Sequence, residues 1–271
     1  MLIAPLGVAR PIGVFDSGLG GLTVLRALID LLPDTSTIYF GDTGRFPYGP
    51  KPADEVLKFS LEISDLLVDR GIELLVVACN SATSVALDAL STRYEIPVIG
   101  VVEPGVRAAA AVTQTGRVGV IGTVGTIASG AYQRAAVDAG VHLTCSACPG
   151  FVEFVESGDV ESDQVHVLAE RLLDPIKRAG VDTLILGCTH YPLLARTIGD
   201  VMGPEVVLVS SADETAFAAR SLVATSDENV ESDPTSATHH FVTSGDVRVF
   251  AALGGRFLGP EVRDVEGWQW S

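Results

Sequence analysis

Basic residues are scarce in this sequence: 18 Lys and Arg stand against 34 Asp and Glu in 271 residues, a formal net charge of −16. That balance argues against a nucleic-acid or anionic-membrane partner, because phosphate binding is largely neutralisation by lysine and arginine. Lysine occurs only as Lys51, Lys58 and Lys177, one in a loop pattern and two in helical patterns. None closes a strand, where a Schiff-base lysine for pyridoxal phosphate would be expected. No apolar run approaches the roughly 18 residues of a membrane span, and no basic residue precedes the apolar stretch of MLIAPLGVAR, so neither a span nor a secretory leader is expected. Cysteine is also sparse. Four cysteines, mostly widely spaced, do not make a disulfide scaffold and point to reduced thiols in a cytoplasmic enzyme. What is abundant is apolar: 47% hydrophobic against 19% charged residues supports one large or two small folded domains and excludes disorder.

Short apolar runs alternate with amphipathic segments. Ile12–Phe15, Thr37–Phe40, Leu74–Val77, Pro97–Gly100, Val118–Ile121, Thr183–Leu186 and Val206–Val209 read as strands. Leu22–Leu32, Ala53–Arg70, Ser81–Tyr94 and Asp163–Ala179 read as helices between them. Continuous apolar runs suit strands covered on both faces, the signature of parallel sheets, so the fold class is α/β. A weak internal repeat divides the chain. Ile12-Gly-Val-Phe15 is echoed by Val118-Gly-Val-Ile121, and Leu75-Val-Val-Ala-Cys79 by Leu184-Ile-Leu-Gly-Cys188, at nearly equal offsets. Two similar lobes are expected, with Val101–Ala110 leading between them. Ser226–Thr238, polar and acidic, reads as an exposed loop, followed by a strand at His239–Thr243 and a helix at Val247–Leu253.

The polar motifs gather where strands end. Asp16-Ser17 follows the first strand, Asp42 the second, Cys79-Asn80-Ser81 the third, and Cys188-Thr189-His190 a strand of the second lobe. Ligands of open parallel sheets bind beyond the carboxyl ends of strands, where helix N-termini suit carboxylates or phosphates. Asn80 and Ser81 are N-cap types and Pro192 is a natural first-turn residue. Both thiols are therefore expected just ahead of a helix, with pKa values below the ordinary ~8.5. A lone cysteine is most often a small buried hydrophobe, and Asp16 and Asp42 read equally well as helix caps. Two thiols at equivalent places, one beside His190, instead suggest an acid/base pair. Inverting a carbon that bears an acidic hydrogen needs a base on one face and an acid on the other.

Two rival motifs are weaker. Gly18-Leu-Gly20-Gly21-Leu-Thr23 imitates the dinucleotide loop of an oxidoreductase, but Thr23 stands at the third glycine place and Asp16 would repel a pyrophosphate. Cys145-Ser-Ala-Cys148 imitates a zinc or redox pair, with no second pair to complete four ligands.

The segments Phe15–Gly21, Gly41-Asp42-Thr43 with Pro47-Tyr48-Gly49, Ala78–Ala82 and Gly187–Pro192 resemble, in order, those of the aspartate/glutamate racemase family. Cys148-Pro149 followed by Phe151–Glu156 corresponds to a further family stretch, and His190 after Cys-Thr resembles the glutamate rather than the aspartate members. The resemblance implies two pseudo-symmetric α/β lobes, residues 1–100 plus 210–271 and residues 101–209, with the site between them. It implies cofactor-independent interconversion of L- and D-glutamate, supplying D-glutamate for peptidoglycan and so for cell-wall biogenesis and cell shape. Cys79 would take the proton from D-glutamate and Cys188 from L-glutamate, supported by Asp16, Asp42, Glu156 and His190. Asp16, Ser17, Tyr48, Gly49, Asn80, Ser81, Thr189 and His190 would contact substrate. No metal, cofactor, nucleic acid or membrane is expected, and a homodimer is the candidate assembly. Racemisation of aspartate or another acidic amino acid is the alternative. A nucleotide-binding oxidoreductase and a non-catalytic binder of an acidic metabolite rank below it. Ser81 where threonine is usual, Gly44 for a common alanine and Glu153 for a frequent proline depart from the pattern without removing a chemical group.

Overall fold

The apolar runs become the strands of two separate parallel sheets. The computed structural model describes residues 10–223 and 237–270. The loop expected at 226–238 lies outside them except for its last two residues. The first sheet is built from β1 (Ile12–Asp16), β2 (Thr37–Gly41), β3 (Leu74–Val77) and β4 (Val98–Gly100). The second comprises β5 (Arg117–Gly122), β6 (His142–Ala147), β7 (Thr183–Gly187) and β8 (Val207–Val209). The chain then returns to the first sheet with β9 (His239–Thr243) and β10 (Glu266–Gly267). Strand orders are β10-β9-β2-β1-β3-β4 and β6-β5-β7-β8, and every pairing is parallel.

Helices cover both faces of each sheet. Those of the first part are α1 (Leu22–Leu31), α2 (Ala53–Asp69) and α3 (Asn80–Arg93). Next come α4 (Val102–Val112), α5 (Val124–Ala128), α6 (Ala131–Ala139), α7 (Phe151–Ser157), α8 (Asp163–Arg178) and α9 (Ala195–Met202). The chain ends its helices with α10 (Ala212–Val223) and α11 (Val247–Phe257). Because strand side chains alternate, Ile12 and Val14 join one core with α1 and α10, while Phe15 joins the core beneath α2 and α3. The second sheet likewise has a core on each face. Each fully buried large apolar side chain contributes about 1.5–3 kcal/mol.

The segment expected to lead between lobes is instead largely the helix α4. Val102, Val106 and Ala109 pack on β5 and β7, so this stretch belongs to the core of the second sheet. Strand β6 has no counterpart in the apolar runs. It lies at a sheet edge, partly exposed, and mixes Thr144 and Ser146 with its apolar residues.

Register decides where the polar motifs emerge. Asp16 pairs with Gly41 and Phe15 with Val77, so the residues after β1, β2 and β3 leave the first sheet at one edge. Gly122 pairs with both Ala147 and Gly187, which brings Thr123, Cys148 and Cys188 out together from the second.

Candidate active site

These two edges face each other. Ser17, Tyr48, Gly49, Cys79, Asn80, Ser81, Cys188, Thr189 and His190 line a single cavity, whose wall is completed by Phe46, Pro47, Thr123 and Val152. Asp16, Asp42 and Glu156 stand behind that wall. The cavity measures about 20 Å³, room for about one water. Larger cavities exist, such as one of about 270 Å³ edged by Asp88, Glu103 and Arg134, which holds neither thiol.

Cys79 itself is the N-cap of α3, and Asn80 and Ser81 are its first two helical residues rather than its cap. The Cys79 sulfur accepts the Ala82 N–H at 3.5 Å. The expected lowering of its pKa does not occur. Burial, followed by the charge of Asp16, pushes the Cys79 thiol well up, and the N–H groups at Ala82 and Ser17 offset only part of this. Cys79 is therefore a protonated thiol at neutral pH.

The opposite sulfur has a different neighbour. Cys188 lies 3.9 Å from His190 Nδ1, and His190 Nε2 lies 2.8 Å from Glu156 Oε1. Burial disfavours the charged ring, but Cys188 and Glu156 outweigh it and raise His190 to about 10. The imidazolium then donates to Glu156 from one nitrogen and to Cys188 from the other. Cys145 and Cys148, like the other two, are free thiols; burial raises Cys148 to about 12. Among the described residues no group of three His, Cys, Asp or Glu is arranged to hold a metal, and no helix is long and apolar enough to cross a membrane.

The glycine-rich loop has a packing reason. A Cβ on Gly20 would collide with the side chains of Thr189 and His190. The loop is pinned by Gly18 N–H donating to Asp16 Oδ2 at 3.0 Å and by Tyr39 O–H donating to Gly18 O at 2.9 Å. Gly20 thus permits close approach of the two lobes, while Gly18 and Gly21 pack against Phe46 and Asp16 of their own lobe.

Polar groups bridge the lobes around the thiols. Ser81 Oγ lies 3.0 Å from Thr123 Oγ1 and 3.2 Å from Thr126 Oγ1. Tyr132 O–H donates to Asn80 Oδ1 at 2.7 Å, and Gly125 N–H to Gly49 O at 2.9 Å. Asn80 Nδ2 and Asp16 Oδ1 are buried without a hydrogen-bond partner among the described residues. A buried donor and acceptor left open beside a site are costly unless a ligand takes them. Asp42 is fully engaged: Arg45, Tyr48, Ser244 and Trp270 all donate to it.

Thr123, Thr126 and Tyr132 escape motif reading. Thr123 had one signal: it follows β5 in the place that Ser17 occupies after β1 in the internal repeat.

A thiol from each lobe, one of them beside His190, faces the same narrow cavity, an arrangement suited to proton transfer at carbon. A sequence model of the family described as Asp/Glu/Hydantoin racemase matches residues 12–219. The chain is 52% identical to a glutamate racemase of Parafrankia sp. (strain EAN1pec), over 94% of this chain and 93% of that one. Among solved structures, glutamate racemase of Bacillus anthracis superposes with a TM-score of 0.89 at 39% identity, covering 97% of each chain. Glutamate racemase of Francisella tularensis in complex with D-glutamate gives 0.89 at 31% identity, covering 96% of this chain and 97% of that one. The chain belongs to the Asp/Glu/Hydantoin racemase family, whose racemases are isomerases.

Proposed function

We propose that this protein interconverts L- and D-glutamate by a two-thiol mechanism that needs no cofactor. The observation that carries the reading is the pair of sulfurs, one from each lobe, on the wall of one cavity. In the L-to-D direction the Cys188 sulfur takes the Cα proton while the Cys79 thiol gives its proton to the opposite face of the same carbon. Cys79 ends as thiolate and Cys188 as thiol, ready for the reverse turnover. The unpartnered Asp16 Oδ1 suits the substrate ammonium and the unpartnered Asn80 amide a carboxylate. Ser17, Tyr48, Gly49, Ser81, Thr189 and His190 form the remaining contacts, with Asp42 and Glu156 orienting Tyr48 and His190. Residues 1–100 with 210–271 act as one lobe and 101–209 as the other. The D-glutamate made would serve peptidoglycan synthesis in the cytoplasm, by an enzyme working as a homodimer.

Purified protein incubated with L-glutamate or L-aspartate, followed by chiral analysis, tests this. Glutamate should racemise far faster than aspartate, and in heavy water the product should carry deuterium at Cα. Activity abolished by a metal chelator or a carbonyl reagent would sink the cofactor-free mechanism. Binding of glutamate without Cα exchange would favour a non-catalytic binder.

A further inference from the structure

We infer that Trp270 is a positioning residue for the proposed racemisation, holding the Tyr48–Gly49 wall of the site through Asp42. The indole N–H of Trp270 donates to Asp42 Oδ1 at 3.2 Å, from 228 residues away in the sequence. Asp42 is fully buried, and the same carboxylate receives the Tyr48 hydroxyl. Tyr48 and Gly49 form one wall of the thiol cavity, and Gly49 O accepts from Gly125 in the opposite lobe.

Trp270 acts on Asp42 by a second route as well. Arg45 donates from Nε to Asp42 Oδ2 at 2.7 Å, and its guanidinium is sandwiched between Phe59, 4.0 Å from the ring centroid, and Trp270, at 3.9 Å. Losing the Trp270 ring removes one face of that sandwich and one donor from Asp42 together, so Asp42, which holds Tyr48, and Arg45, which holds Asp42, both gain freedom. The segment that carries Trp270 is itself held in place. Glu266 and Gly267 pair with β9, Trp268 N–H donates to Thr243 O at 2.7 Å, and Arg70 grips Glu266 through two hydrogen bonds of 2.9 and 2.6 Å. The indole is thus delivered to Asp42 by a strand pairing and an ion pair.

The test compares Trp270→Ala, Trp270→Phe and, as control, the exposed Gln269→Ala, by kinetics and by backbone hydrogen exchange. Trp270→Ala should raise the KM for both enantiomers about tenfold with kcat within twofold of the parent. Exchange across residues 43–50 should speed up at least tenfold while β3 stays protected. Trp270→Phe, which keeps a ring over Arg45 but has no N–H, should fall between, near threefold in KM; it decides the matter if the Ala variant does not fold. Gln269→Ala should match the parent. A purely structural Trp270 would lower apparent kcat at unchanged KM by reducing the folded fraction. That result, or unaltered exchange at residues 43–50, overturns the inference. If the parent protein itself fails to racemise glutamate, the functional reading falls, and the exchange comparison alone still decides whether Trp270 holds the wall.

Discussion

At the scale of the residue, the two thiols have unequal surroundings but must share each turnover. Enantiomers have equal free energy in water, so any variant must alter kcat/KM by the same factor in both directions. Serine is a far weaker acid than cysteine and a poor base at neutral pH. Cys79→Ser and Cys188→Ser should each lower kcat/KM by about 10²–10⁴. The double variant should be little worse than either, since the groups work as a unit. Residual Cα exchange in heavy water should be one-sided, favouring D-glutamate when Cys79 remains and L-glutamate when Cys188 remains. Normal racemisation by Cys188→Ser would refute the assignment. The same environments fix a pH dependence. His190 is raised from 6.5 to about 10, so the stability it contributes is complete below pH 6.5 and drains away as pH rises towards 10. The raised Cys79 thiol acts with the same sign, from its ordinary value of 9.0 upward. Thermal midpoints should therefore decline steadily through the alkaline range. His190→Gln should flatten the decline between pH 6.5 and 10; an unchanged profile would show that His190 does not carry it.

At the scale of the element, strand ends and close approaches matter more than helix propensity. Gly20 sits where a methyl group would strike Thr189 and His190. Gly20→Ala should destabilise by about 1–3 kcal/mol, as overpacking does, and lower kcat/KM at least tenfold by displacing His190 from Cys188. Gly199, inside α9, has no atom nearer than 3.8 Å to an added Cβ. There alanine should stabilise by about 0.5–1 kcal/mol, and denaturant midpoints would expose a wrong sign in either case. The same contrast explains what could be read in advance. β1, β3 and β7 are buried on both faces, so their apolar runs announce them. β6 is a partly exposed edge strand and carries no such run. In α4, Pro104-Gly105 looks like a linker, yet proline in a first turn gives up an N–H that has no partner anyway. Cys79 and Cys188 are legible because strand ends concentrate chemistry. The place of Trp270 depends on β10 pairing with β9, which no local pattern encodes.

At the scale of the molecule, the cavity between the lobes is narrow. Its roughly 20 Å³ admits about one water, so in the proposed reaction glutamate enters when the lobes part and is enclosed as they close. The closed state is held by few polar links, and Tyr132 supplies one of the most buried: its hydroxyl, on the second lobe, donates to Asn80 on the first. Tyr132→Phe keeps the ring and deletes the donor. Asn80 Oδ1 is then buried without a partner, at a cost of about 1–3 kcal/mol when the lobes close, whereas in the opened state water reaches it. The variant should shift the balance towards opening and leave the sheets intact. Its KM should rise about tenfold for both enantiomers, and hydrogen exchange should quicken at the first turns of α3 and α5, where the lobes meet. Saturating glutamate should restore protection at those turns by favouring the closed form. If Tyr132→Phe left KM and exchange at parental values, this hydrogen bond would have no part in closure, and the remaining links at Ser81, Thr123 and Gly125 would have to hold the lobes together.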